Sequence, residues 1–132
     1  MNMKEAVISV LTNWKNFSGR ACRSEFWYFI LAYNLFSIFI AIVEVNIGLV
    51  EADNIFYVWT GSEIGALSTL FLIFILIPSI SVTSRRLQDR GISGWWQLSY
   101  FTIIGIFIIP ILCILEAKED ENKWGRNPLL EQ

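Results

Sequence analysis

The chain of 132 residues carries ten Lys and Arg against twelve Asp and Glu, a formal net charge of −2, and no histidine. Apolar residues make up 55% and charged residues 17%, against about 45–50% and about 25% in a soluble domain. The missing histidine excludes His metal ligands, His general bases and every Ser-His or Cys-His pair, and the near-neutral charge argues against nucleic acid as a partner.

The distribution of charge decides the class. Phe26–Val43, Ile64–Ser84 and Ile92–Leu115 hold 18, 21 and 24 residues without a charge, and a membrane helix needs roughly 17–25. The core helices of a small soluble bundle would keep a polar face, whereas these segments are apolar all round. The predicted architecture is therefore all-α: one integral membrane domain, a bundle of three transmembrane helices. The spans are set at 26–46, 64–84 and 95–115. An amphipathic interfacial helix over 4–17 precedes them and a polar tail over 116–132 follows. The pieces outside the spans are too short for an appended soluble domain. The six mainly apolar residues Ala6–Leu11 are too few for a signal-peptide core.

In the 4–17 helix, Val7, Val10, Leu11, Trp14 and Phe17 recur at three- and four-residue steps. That stripe suits a helix lying on a membrane, or equally a short helix packed on the bundle. Gly19 breaks the pattern ahead of Arg20 and Arg23. Phe26, Trp27 and Tyr28 open the first span as an aromatic belt. Asn34 is the amide well inside it, expected to bond to a neighbouring helix. Glu44 is expected at the far end as a hydrated carboxylate.

The second span is expected to run on as helix to about residue 90, kinked but not ended by Pro78. Arg85–Asp89 and Arg86–Asp89, four and three apart, are candidate pairs on its surface. Gly91 is a natural stop and Ser93 an N-cap for the third span. Gly105 and Pro110 interrupt that span. A re-entrant hairpin would return the tail to the starting side, but Trp95–Leu115 has the length of one crossing, and one crossing is the expectation.

Lys4, Lys15, Arg20 and Arg23 precede the first span; Arg85, Arg86 and Arg90 follow the second. The first loop, 44–63, has no Lys or Arg but carries Glu44, Glu51, Asp53 and Glu63. Three crossings put seven basic residues on one face and three on the other, so the amino terminus and second loop are assigned to the cytoplasm, the first loop and tail outside. Cys22 and Cys113 would then be separated by the bilayer, and no bridge between them is expected.

Three motifs carry a family resemblance. They are Phe17-Ser18-Gly19-Arg20 with Arg23-Ser24-Glu25-Phe26-Trp27; Arg85-Arg86-Leu87-Gln88-Asp89-Arg90-Gly91 with Ser93-Gly94-Trp95-Trp96; and Asn122, Trp124, Gly125, Arg126, Asn127 and Pro128. In this order they resemble the domain of unknown function 805 family of small bacterial inner-membrane proteins. The resemblance spans Trp14 to Pro128. Gln88 stands where that family usually has histidine. The resemblance implies a multi-pass protein of the bacterial inner membrane, with Gly19, Glu25, Trp27, Asp89, Gly91, Ser93, Gly94, Trp95, Trp96, Gly125, Asn127 and Pro128 as structural motif residues. It implies no activity.

The most informative constellation is the inner rim, where Arg20, Arg23, Arg85, Arg86 and Arg90 should gather near Glu25, Asp89, Trp27, Trp95 and Trp96. Guanidinium forks suit phosphate oxygens, so this rim is a candidate site for anionic lipid head groups. The plainer alternative is that the arginines pair with Glu25 and Asp89 and orient the chain. A subunit of an oligomeric small-molecule or ion transporter is a second reading, weakened by the lack of ionisable residues at mid-span. No GxSxG, HExxH or CxxC motif supports an enzyme. No catalytic residue, cofactor or metal is expected. Membrane lipids are the expected partners, with a second copy or another membrane protein open.

Overall fold

The computed structural model describes residues 2–50, 65–118 and 120–130. Glu51, Asp53 and Glu63 of the first loop, and Ile64 at the predicted start of the second span, lie outside the described residues. Four α-helices are described: α1 (Met3–Thr12), α2 (Arg23–Asn46), α3 (Ala66–Asp89) and α4 (Ile103–Ile114). Two 3₁₀ helices, η1 (Gly94–Phe101) and η2 (Pro128–Leu130), flank α4 and end the chain, with a two-stranded antiparallel ribbon, β1 (Glu121–Asn122) and β2 (Gly125–Arg126), between them. The described residues form two compact units, one of Ile30–Leu76 and one of the chain before and after it.

α2 and α3 are long and apolar enough to cross a membrane, each 24 residues or about 36 Å. Of the most apolar stretch of each, 17% and 22% is buried. A soluble core helix would be mostly enclosed, whereas Leu35, Phe36 and Phe39 on α2 and Leu70, Ile73 and Phe74 on α3 stand half or more exposed. Both helices end on the same device. Gly48 and Gly91 take φ of +77°. Leu49 N–H then reaches the Glu44 carbonyl and Ile92 N–H that of Leu87, with Gly48 bonded to Val45 and Gly91 to Gln88. These are Schellman closures, which need the left-handed backbone that glycine adopts without penalty. Pro78 and Pro110 both lie inside helices that continue past them.

Two sequence expectations about helices are corrected. The 4–17 helix stops at Thr12, because Asn13 bonds the Ser9 carbonyl through both its backbone N–H (3.0 Å) and its side chain (2.8 Å). Trp14 and Phe17 therefore belong to the following strap, and the buried residues of α1 are Ala6 and Val10. The 95–115 segment is not one helix. Thr102 is extended (φ −107°, ψ 148°), ending η1 and capping α4 through its hydroxyl. Eight 3₁₀ residues rise about 16 Å and twelve α residues about 18 Å, so neither piece spans a hydrocarbon core of about 30 Å.

The two pieces lie side by side: a Cβ on Gly105 would overlap the Ser99 carbonyl. At the start, a Cβ on Gly94 would overlap Ser84, and Gln97 donates to the Ile80 carbonyl (3.2 Å). At the finish, Cys113 and Leu115 meet Arg86. The segment thus leaves the end of α3 and comes back to it. The tail, expected on the face opposite the rim, packs on the rim: Asn122 donates to the Gln88 carbonyl (2.9 Å) and Arg20 to that of Gly125 (3.2 Å). The supposed bilayer between Cys22 and Cys113 disappears as well, since one guanidinium binds the carbonyls of both Ala21 and Cys113. Both cysteines are buried, and no disulfide joins them.

Candidate functional site: the arginine rim

Every residue from Ser81 to Asp89 is buried, although the helical stretch includes two arginines, a glutamine and an aspartate. The strap from Asn13 to Cys22 makes this possible by covering α3. Ser81 donates to the carbonyls of Asn13 and Asn16, Ser84 to that of Phe17 (3.1 Å), and Gln88 to the same Phe17 carbonyl (2.9 Å). Ala21 N–H closes the strap on the Arg85 carbonyl (3.1 Å). Gly19, at φ +112°, turns the strap immediately before Arg20.

Of the five rim arginines, three are enclosed. Arg20 reaches Asp89 Oδ1 through Nε (2.9 Å) and the Asp89 carbonyl through Nη2 (3.2 Å). Arg86, fully buried, binds Asp89 Oδ2 and the carbonyls of Ala21, Cys113 and Leu115. Arg85 pairs with Glu25 Oε1 (3.0 Å), which also accepts from Ser9 on α1 (2.8 Å). The helical spacing made Asp89 an acceptable partner for both Arg85 and Arg86. Arg86 takes it, and Arg85 goes to α2 instead. A guanidinium with five donors in a fixed fork can serve several carbonyls and a carboxylate at once, and Arg86 uses it to tie α3, the strap and the end of α4 together.

Arg23 and Arg90 remain at the surface. Arg23 pairs with Glu116 at 2.8 Å, the side chains 44% and 75% exposed, and Arg90 donates to the Glu116 carbonyl. Trp27 is edge-on to Phe26 and donates through its ring nitrogen to the Cys113 carbonyl (3.3 Å). Ser93 caps η1, as expected of an N-cap, though of a 3₁₀ helix. Trp95 and Trp96 are 79% and 61% exposed, and Trp95 lines a cavity with Phe17, Ser84 and Gln88. Gly125, at φ +124°, opens β2 directly after the ribbon turn at Lys123 and Trp124; Asn127 accepts from Leu129 N–H and so caps η2, which Pro128 begins.

Sequence reasoning missed three features. The first is the stripe Ser81, Ser84 and Gln88, whose helical spacing was the available signal. The second is the set of carbonyls at 113–116, which carry no side-chain signature. The third lies in the other unit. Glu44, expected to be hydrated, is fully buried. Its carboxylate accepts Ser68 N–H (2.9 Å) and Ser68 Oγ (2.6 Å) at the start of α3, and a Cβ on Gly65 would overlap it. Asn34 turns back to its own helix, donating to the Ile30 carbonyl (2.8 Å).

The family model described as "Protein of unknown function (DUF805)" matches residues 14–126, which include the strap, both arginine segments and the ribbon. The chain belongs to the DUF805 family. Among its relatives, the Escherichia coli K12 protein named "Inner membrane protein YhaH" is 34% identical over 125 residues, 94% of this chain and 96% of the relative. "Inner membrane protein YhaI" of the same strain is 31% identical over 122 residues, 92% of each chain. No solved structure matches. With its two long apolar helices, this DUF805 chain is a membrane protein in which Arg20, Glu25, Arg85, Arg86 and Asp89 of the motifs meet in an enclosed rim.

Proposed function

We propose that this DUF805 protein is a non-catalytic accessory protein of the bacterial inner membrane. In this reading α2 and α3 cross the bilayer, and η1 with α4 forms a re-entrant hairpin in place of a third crossing. The amino terminus, rim and tail then share the cytoplasmic face, and Arg23 and Arg90 meet anionic head groups. The observation that carries the reading is Arg86 bonded to the carbonyls of Cys113 and Leu115. That contact supports a tail on the same face as the rim. All ten Lys and Arg then lie on one side, a stronger cytoplasmic bias than three crossings allow. The buried carboxylates Glu25 and Asp89 are occupied by arginines and supply no base, which supports a structural role for them.

Topology is testable in a variant carrying Cys22→Ser and Cys113→Ala, with Lys4→Cys, Asp53→Cys or Lys118→Cys added singly. A membrane-impermeant maleimide should label positions 4 and 118 in inverted vesicles and position 53 in right-side-out ones. Labelling of 118 together with 53 would restore the third crossing.

A further inference from the structure

Resting on that reading of the rim, we infer a specific site for the phosphodiester of an anionic phospholipid at the first turn of α2. A cavity of about 420 Å³ opens there, lined by Arg23, Ser24, Trp27, Tyr28, Ile114 and Leu129. It lies within the range of roughly 300–1,000 Å³ typical of small-molecule sites. Arg23 supplies its cation, and Trp27, Tyr28, Ile114 and Leu129 its apolar wall. The charge-free stretch of α2 begins at Phe26, so this turn is the depth at which head groups give way to chains.

Arg20, Arg85 and Arg86 are enclosed, so they cannot present themselves to a lipid. Arg23 can. Its bond to Glu116 joins two exposed side chains, an interaction that contributes little and yields to a competing anion. Trp27 is held in the wall by its bond to Cys113, and Leu129 brings the tail to the same cavity. The phosphate replaces Glu116 on the Arg23 fork, while the glycerol and first methylenes lie on Trp27, Tyr28 and Ile114. Occupancy would hold the tail against α2.

Native mass spectrometry of the full chain tests this, with phosphatidylglycerol, phosphatidylcholine or inorganic phosphate added. The native chain should retain one phosphatidylglycerol in preference to phosphatidylcholine. Arg23→Gln should weaken retention about tenfold, the weight of one charge-assisted contact. Glu116→Gln should strengthen it about threefold by freeing the fork, a change of sign that a damaged fold cannot produce. Lys4→Gln, on exposed α1, should leave it unchanged. Equal retention by the native chain, Arg23→Gln and Glu116→Gln would overturn the pocket while leaving lipid contact elsewhere on the rim intact. No preference for phosphatidylglycerol in the native chain would overturn both. Displacement of the lipid by millimolar inorganic phosphate would assign the site to the free anion instead.

Discussion

The arginine rim and the Glu44 cap both bury charge, and they do so by opposite means. At the rim, side chains 69 and 60 residues apart in sequence pair as Arg20–Asp89 and Arg85–Glu25, and Arg86 adds backbone carbonyls from the strap and from the end of α4. At the cap, one carboxylate meets the amino-terminal turn of a helix, with no Lys or Arg anywhere from residue 24 to 84 to pair with. The helix supplies what a cation would: N–H groups left over by its hydrogen-bonding pattern, and the positive end of its dipole. An arginine gathers many acceptors and so can knit several segments. A glutamate needs donors, and a helix start offers them ready-made, so it can join two helices at one point. Gly65 completes the device by leaving room where a capping side chain would ordinarily stand.

Breaking each side should separate the two in size. Arg86→Leu takes one of Asp89's two arginines and strands the carbonyls of Ala21, Cys113 and Leu115. It should cost about 3–5 kcal/mol, read from denaturation in mild detergent. A loss below that of Glu44→Ala would invert the comparison. Glu44→Ala removes a cap and should cost about 1–2 kcal/mol, with Glu44→Gln less harmful because one amide oxygen still accepts from Ser68 N–H. Ser84→Ala sharpens the rim half: it removes one strap bond, costs about 1 kcal/mol and should speed proteolysis within residues 13–20. Glu116→Ala, at the exposed pair, should change stability by less than about 1 kcal/mol.

Much of the fold was legible from where charge is missing. The helices α2 and α3 fall on two of the charge-free runs. Gly91 and Ser93 act as the stop and cap their residue types suggested. The site was legible as a neighbourhood, because Arg20, Arg85, Arg86, Asp89 and Glu25 do converge. Partner choice was not. Positions 85 and 86 are both within reach of 89 on a helix surface, and only the approach of α2 and α1 gives Glu25 to Arg85. The break at Thr102 was equally hidden. Hydropathy counts apolar residues and cannot distinguish a helix that crosses from one that turns back.

The sequence by itself determined that this chain enters a membrane and that its basic residues cluster at the ends of the apolar runs, because transfer of charge into hydrocarbon is costly wherever the chain folds. Tertiary structure alone decided which acid each arginine holds, that Glu44 is enclosed, and that the last apolar segment returns to its starting point. Those outcomes depend on backbone carbonyls and helix ends, groups that every residue carries and that no residue letter records.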